Sequence, residues 1–193
     1  MSYKDLFENE GIEPSIVIHL KDKIDEKAFD NILIKIGLTS IEIKNSEKSE
    51  IYYKFSLTAK AIYTNPKNDF FIGSHIKLDA EKSSICIYGY NENIISGMKK
   101  ILFKEKILDE VYDKSEEYKN NIEKYEANTD DIIEKIEEKE KIEPYNLFII
   151  KHFIKFVMDK YKEENISSED NSANENSEDN KNITSNPFIT NGE

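Results

Sequence analysis

From Ile51 to Tyr63 every odd position is apolar (Ile51, Tyr53, Phe55, Leu57, Ala59, Ala61, Tyr63), and the even positions between them are Tyr52, Lys54, Ser56, Thr58, Lys60 and Ile62. Successive side chains of an extended strand point to opposite faces, so this alternation predicts a strand about 43 Å long with its odd-numbered face buried. A half-buried antiparallel sheet at the centre of the fold follows, because such sheets can leave one face to solvent.

The segments around it complete a pattern. Ser15 to Leu20 reads as a first strand, following an arm over residues 1–14 that contains Leu6 and Phe7. Ile24, Ala28, Phe29, Ile32, Leu33 and Ile36 recur at helical spacing, with Asp22 or Asp25 as N-cap and Gly37 as the stop. Ser40 to Lys44 alternates as a short strand, and the turn Asn45 to Ser49 leads into the long one. Asn65-Pro66-Lys67-Asn68-Asp69 breaks the chain, Phe70, Ile72, Ile76 and Leu78 give the next strand its apolar face, and Glu81-Lys82-Ser83 turns it again. Ser84 to Tyr90 is apolar on both faces, as suits an interior strand.

After Asn91 the period changes to that of a helix carrying Ile94, Ile95, Met98, Ile101 and Leu102, expected to run to about Glu126. Its heptad positions 101, 108, 115, 122 and 104, 111, 118, 125 are apolar except at Lys104 and Ser115, which leaves packing on the protein and a coiled coil with another chain both open. Asn128-Thr129-Asp130 is expected to cap a further helix bearing Ile132, Ile133 and Ile136, ended by Glu143-Pro144. Leu147 to Tyr161 is the most apolar stretch; Lys151, His152 and Lys155 interrupt it well short of the roughly 20 residues a membrane span needs. A helix buried on most sides is expected there.

The order strand, helix, four strands, helix gives an α+β fold, a curved antiparallel sheet of about five strands with helices on one face, over residues 15–112. Residues 113–162 form a helical extension that packs on the sheet domain or projects as an arm. This element order is similar to one repeat of the TATA-binding-protein fold, and pleckstrin-like domains also end their sheets with a long helix. The likeness lies in element order, so it implies an architecture and carries no function.

From Glu163 to Glu193 the composition shifts to asparagine, serine and acid, a segment too polar to offset its ordering entropy and therefore expected to be disordered. Eight acids against one lysine place −7 of the chain's net −12 in this tail, leaving −5 for the remainder. Ser167, Ser168 and Ser177, each followed by acids, are candidate phosphorylation sites. Asn186-Pro187-Phe188 resembles the peptide recognised by EH domains of endocytic adaptors, although an asparagine-rich tract also produces such a triplet by composition.

Composition bounds the function classes. Cys86 is the single cysteine, which excludes an intramolecular disulfide and points to an intracellular protein, cytoplasmic or nuclear. All 27 basic residues are lysine, and arginine, glutamine and tryptophan are absent, a bias expected of an AT-rich genome. Without arginine forks, and at net −12, nucleic acid is a disfavoured partner. The six glycines form no cluster that would cradle a phosphate. His19, His75 and His152 fall one per element, with no helical His pair and no Cys-x-x-Cys, so neither a metal nor another cofactor is expected. A Cys86–His75 pair oriented by Asp69 or Asp79 is the one nucleophilic arrangement available, set against Cys86's apolar surroundings. The carboxylate pairs Glu116-Glu117, Asp130-Asp131 and Glu137-Glu138 read as solvated charge on helices.

The even face of the long strand, joined by its antiparallel neighbour, assembles Tyr52, Lys54, Ser56, Thr58, Lys60, Phe71, His75 and Lys77 on one non-core surface. Aromatics interleaved with lysines can grip a peptide or stack bases. The expectation is a non-enzymatic protein-binding or assembly subunit with one or more protein partners. The alternatives are an acidic decoy that occupies a basic, nucleic-acid-binding surface, and an enzyme that uses His75 on the polar sheet face.

Overall fold

The computed structural model describes residues 13–44, 49–55, 75–90, 92–109 and 120–173. The chain divides into two compact units, Met1–Tyr161 and Lys162–Glu193. In the first, six strands form one antiparallel sheet: β1 (Ile16–Leu20), β2 (Leu38–Lys44), β3 (Ser49–Phe55), β4 (His75–Asp79), β5 (Ser84–Tyr88) and β6 (Ile133–Glu138), in spatial order β2-β3-β4-β5-β1-β6. Three α-helices lie among the described residues, α1 (Glu26–Lys35), α2 (Glu92–Lys104) and α3 (Pro144–Ala173), with a 3-10 turn at Ile122–Tyr125. The fold is α+β.

One face of the sheet is the core. The register sets Ile16 against Ile87, Ile18 against Ile85, Ile76 against Ile87 and Tyr53 against Ile76, so period-two alternation on each strand lines up a continuous apolar surface. Over it lie Phe29, Ile32 and Leu33 of α1, Ile94, Met98 and Leu102 of α2, and Phe148 to Tyr161 of α3. Burial of each such large side chain contributes about 1.5–3 kcal/mol. The odd residues of β3, Tyr53 and Phe55, are buried in this core, as their alternation requires, while the predicted continuation from Ser56 to Tyr63 lies outside the described residues.

Polar contacts fix the helices onto that surface. Asp25 caps α1, its Oδ1 accepting from the Ala28 N–H at 2.9 Å, and the Asp25 N–H donates to the Tyr161 hydroxyl at 2.9 Å, which joins α1 to α3. Gly37 ends α1 at φ 110°, a conformation that glycine adopts without Cβ strain. Tyr53 reaches under α1, packing edge-on to Phe29 with ring centroids 6.2 Å apart and hydrogen bonding Asp30; burial first, and then the Asp30 carboxylate, raise its phenol pKa. At the start of α3, Pro144 takes the first helical position, where a missing N–H costs nothing. Asn146 Nδ2 there donates to the Tyr90 hydroxyl at 2.8 Å, and Lys99 of α2 sits 4.7 Å from the Tyr145 ring centroid.

Three expectations are corrected. The segment expected to be a helix after Asn128-Thr129-Asp130 is β6, which raises the sheet to six strands. Ile132 and Ile133 both donate to the Thr129 carbonyl, making one turn, and the chain then extends along β1. Ile133 and Ile136, three residues apart, would face opposite ways on a regular strand. A register shift between His19 and Leu20 places Ile133 beside Leu20 and Ile136 beside Ile18, and both pack on the core. The bulge thus gives a strand the spacing of a helix.

The second correction is α2, which stops at Lys104 and so does not supply the continuous heptads of a coiled coil to Glu126. Lys106 turns left-handed at φ 59°, its N–H donating to Phe103 O at 3.1 Å while Ile107 N–H reaches back to Leu102 O at 2.9 Å. This is the paired 5→2 and 6→1 bonding of a Schellman ending, carried by a lysine where glycine is usual. Third, α3 continues to Ala173, past the Glu163 boundary set for the tail; residues 174–193 lie outside the described ones.

α2 approaches β3 closely at Gly97. A methyl built on Gly97 would meet Phe55 Cγ at 2.6 Å and Phe55 Cβ at 2.9 Å, and Phe55 also contacts Phe153 of α3, centroids 5.5 Å apart. Gly97→Ala gains about 1 kcal/mol of helix propensity but overpacks a filled site at about 1–3 kcal/mol, so urea unfolding is expected to show a net loss. That loss shrinks in a Phe55→Leu background, and a double-mutant cycle showing no coupling would refute the contact. Lys106→Gly removes a left-handed non-glycine residue and is expected to add about 0.5–1 kcal/mol of stability in the same assay.

Candidate functional site

The face of the sheet opposite the helices carries polar residues from every strand. Lys54 pairs with Thr39 on one side and His75 on the other, and His75 pairs with Tyr88. In the adjoining row Lys77 stands beside Cys86, Cys86 beside Val17, and Val17 beside Glu137. A third row runs Asp79, Ser84, His19, Lys135. Alternation alone produces this layout, since these residues are the out-of-phase partners of Tyr53, Ile76, Ile85 and Ile18.

Tyr52, Lys54, His75 and Lys77 are therefore brought to one surface, as their sequence positions predict. Ser56, Thr58, Lys60 and Phe71 lie outside the described residues. The even residues are not uniformly presented, however: Tyr52 is 2% exposed and His75 1%, whereas Lys54 and Lys77 are half-buried. Tyr52 packs edge-on to Tyr88, with centroids 5.7 Å apart and planes at 69°, and the Lys77 ammonium lies 5.5 Å from the Tyr52 ring centroid. This cation and the two crossed phenol rings form a compact aromatic-basic cluster. Tyr88 was not legible as a member, because its own strand is apolar on both faces and its alternation says nothing about which side is which.

Charge pairs border the cluster toward β6. Glu137 Oε1 lies 2.5 Å from Lys135 Nζ and 3.3 Å from His19 Nε2, and its hydrogen bond to Lys135 holds its carboxyl below the usual range and Lys135 above its own. Both are solvent-facing, so the pair is worth little to stability. Glu137 and Glu138, adjacent on a strand, point to opposite faces and so cannot share a proton; Glu138 Oε2 instead accepts from the Ile142 N–H at 3.4 Å. Asp130-Asp131 falls in the turn before β6 rather than on a helix, and Glu116-Glu117 lies outside the described residues.

The geometry argues against a nucleophilic role for Cys86. The residue is 8% exposed, and burial first, then the Asp79 carboxylate, push its thiol pKa up, where a reactive thiol needs it lowered. His75 is a diagonal neighbour, opposite Tyr88 rather than opposite Cys86. Asp79 stands four residues along β4 from His75, about 13 Å at strand rise, too far to orient its ring. Asp69 lies outside the described residues. Among the described residues no group of three or more His, Cys, Asp or Glu is placed to hold a metal ion, and no helix is long and apolar enough to cross a membrane. Ser167 and Ser168 fall within α3, and Ser177 lies outside the described residues.

His152 sits on the narrow polar strip of α3, its ring 4.1 Å from that of Phe148 and its Nδ1 3.1 Å from the Phe148 carbonyl oxygen. A cavity of about 580 Å³ opens where that helix starts, lined by Ile122, Lys141, Glu143, Pro144 and Tyr145. No family model, curated protein or solved structure matches the chain.

Two titratable groups give checks. Native Cys86 is expected to react with a disulfide reagent at pH 8 at least about tenfold more slowly than the urea-unfolded chain, and equal rates would refute its burial. For His152, burial, with a smaller push from Lys155, lowers the folded pKa below the ordinary 6.5, so the unfolded chain takes up the proton first. Stability should therefore fall as pH drops through 6.5 toward the lower folded value. His152→Gln should flatten that part of the profile in pH-dependent urea unfolding.

Proposed function

We propose that the chain is a non-enzymatic protein-binding or assembly subunit of an intracellular complex, cytoplasmic or nuclear, and that its partner engages the sheet face opposite the helices. The observation that carries this reading is the cluster in which Lys77 lies against the Tyr52 ring and Tyr52 against Tyr88, with Lys54 on the neighbouring strand position. The buried Tyr52 ring holds Tyr88 and Lys77 in place from beneath, and the partly exposed Tyr88, Lys54 and Lys77 present a ring edge and two ammonium groups that can form charge-assisted hydrogen bonds to a polypeptide's carboxylates and carbonyls. The lone cysteine supports a reducing compartment.

The test compares the tagged full-length chain with its Lys54→Glu/Lys77→Glu variant, captured from the native cell and quantified by mass spectrometry. Proteins specific to the chain should fall at least about tenfold with the variant, as expected when charges at an interface are reversed. An unchanged urea midpoint serves as the folding control. Retention of the same proteins at the same level by a folded variant overturns the assignment of the face.

A second reading is favoured by the −7 charge gathered in residues 163–193: the chain acts as an acidic decoy on a basic surface. Removing residues 163–193, which carry that −7, separates the two. The decoy loses binding and shows steep salt dependence before the deletion, whereas the sheet-face subunit keeps its partner.

A further inference from the structure

We draw no further inference here: the strongest candidate, the outer sheet face where Tyr52, His75 and Ser84 are almost fully buried although the helices lie on the opposite side, belongs to the site already described, and nothing among the described residues shows what covers it.

Discussion

Phe55 is the residue on which the core converges. It ends β3, faces Leu38 across the β2 pairing, fills the space left by the missing side chain of Gly97, and meets Phe153 of α3. A phenylalanine ring in that position sets how closely α2 approaches the sheet, and so where Ile94, Met98 and Leu102 fall over it. The two faces of the sheet follow from the same constraint. With Tyr53 and Phe55 committed to the helices, Tyr52 and Lys54 are committed to the other side, and strand register carries the division across β4, β5, β1 and β6.

The elements that were legible in the sequence are those whose local chemistry and tertiary surroundings agree. Asp25 and Gly37 bracket α1 because a carboxylate can accept an orphan N–H and a glycine can turn left-handed, and neither needs a distant partner. β1, β3 and β5 announced themselves by β-branched and aromatic residues. β6 did not, because Ile133 and Ile136 reach the core only through a bulge that exists once β1 is alongside. The end of α2 was hidden for a different reason: Lys106 gives no glycine-like signal, and the turn is held by backbone bonds to Phe103 and Leu102. Of the candidate surface, the shared face of Tyr52, Lys54, His75 and Lys77 was readable from alternation, whereas the burial of Tyr52 and His75 was not, since exposure depends on neighbours that a one-dimensional pattern omits.

The two sides of the sheet differ in kind. One is apolar and close-packed under α1, α2 and α3. The other mixes two tyrosines, two lysines, a histidine and a thiol, with an ion-paired border at Glu137 and Lys135. That border strand also carries charge at four of its six positions, Glu134, Lys135, Glu137 and Glu138, which makes its outer edge a poor template for another strand. Lys54 and Lys77 thus bring two cations to one face of a chain whose net charge is −12.

The place of β1 has a consequence for how the molecule is made. It is an interior strand whose two neighbours, β5 and β6, are both distant in the chain, and the contact between Lys21 and Asp130 spans 109 residues. On the ribosome the first strand emerges long before its final neighbour, so the sheet carries a bare apolar edge until Glu138 has cleared the exit tunnel. Pairings of such long range also slow folding. The nascent chain is thus most exposed to wrong strand partners during synthesis of the connection that brings β6 home.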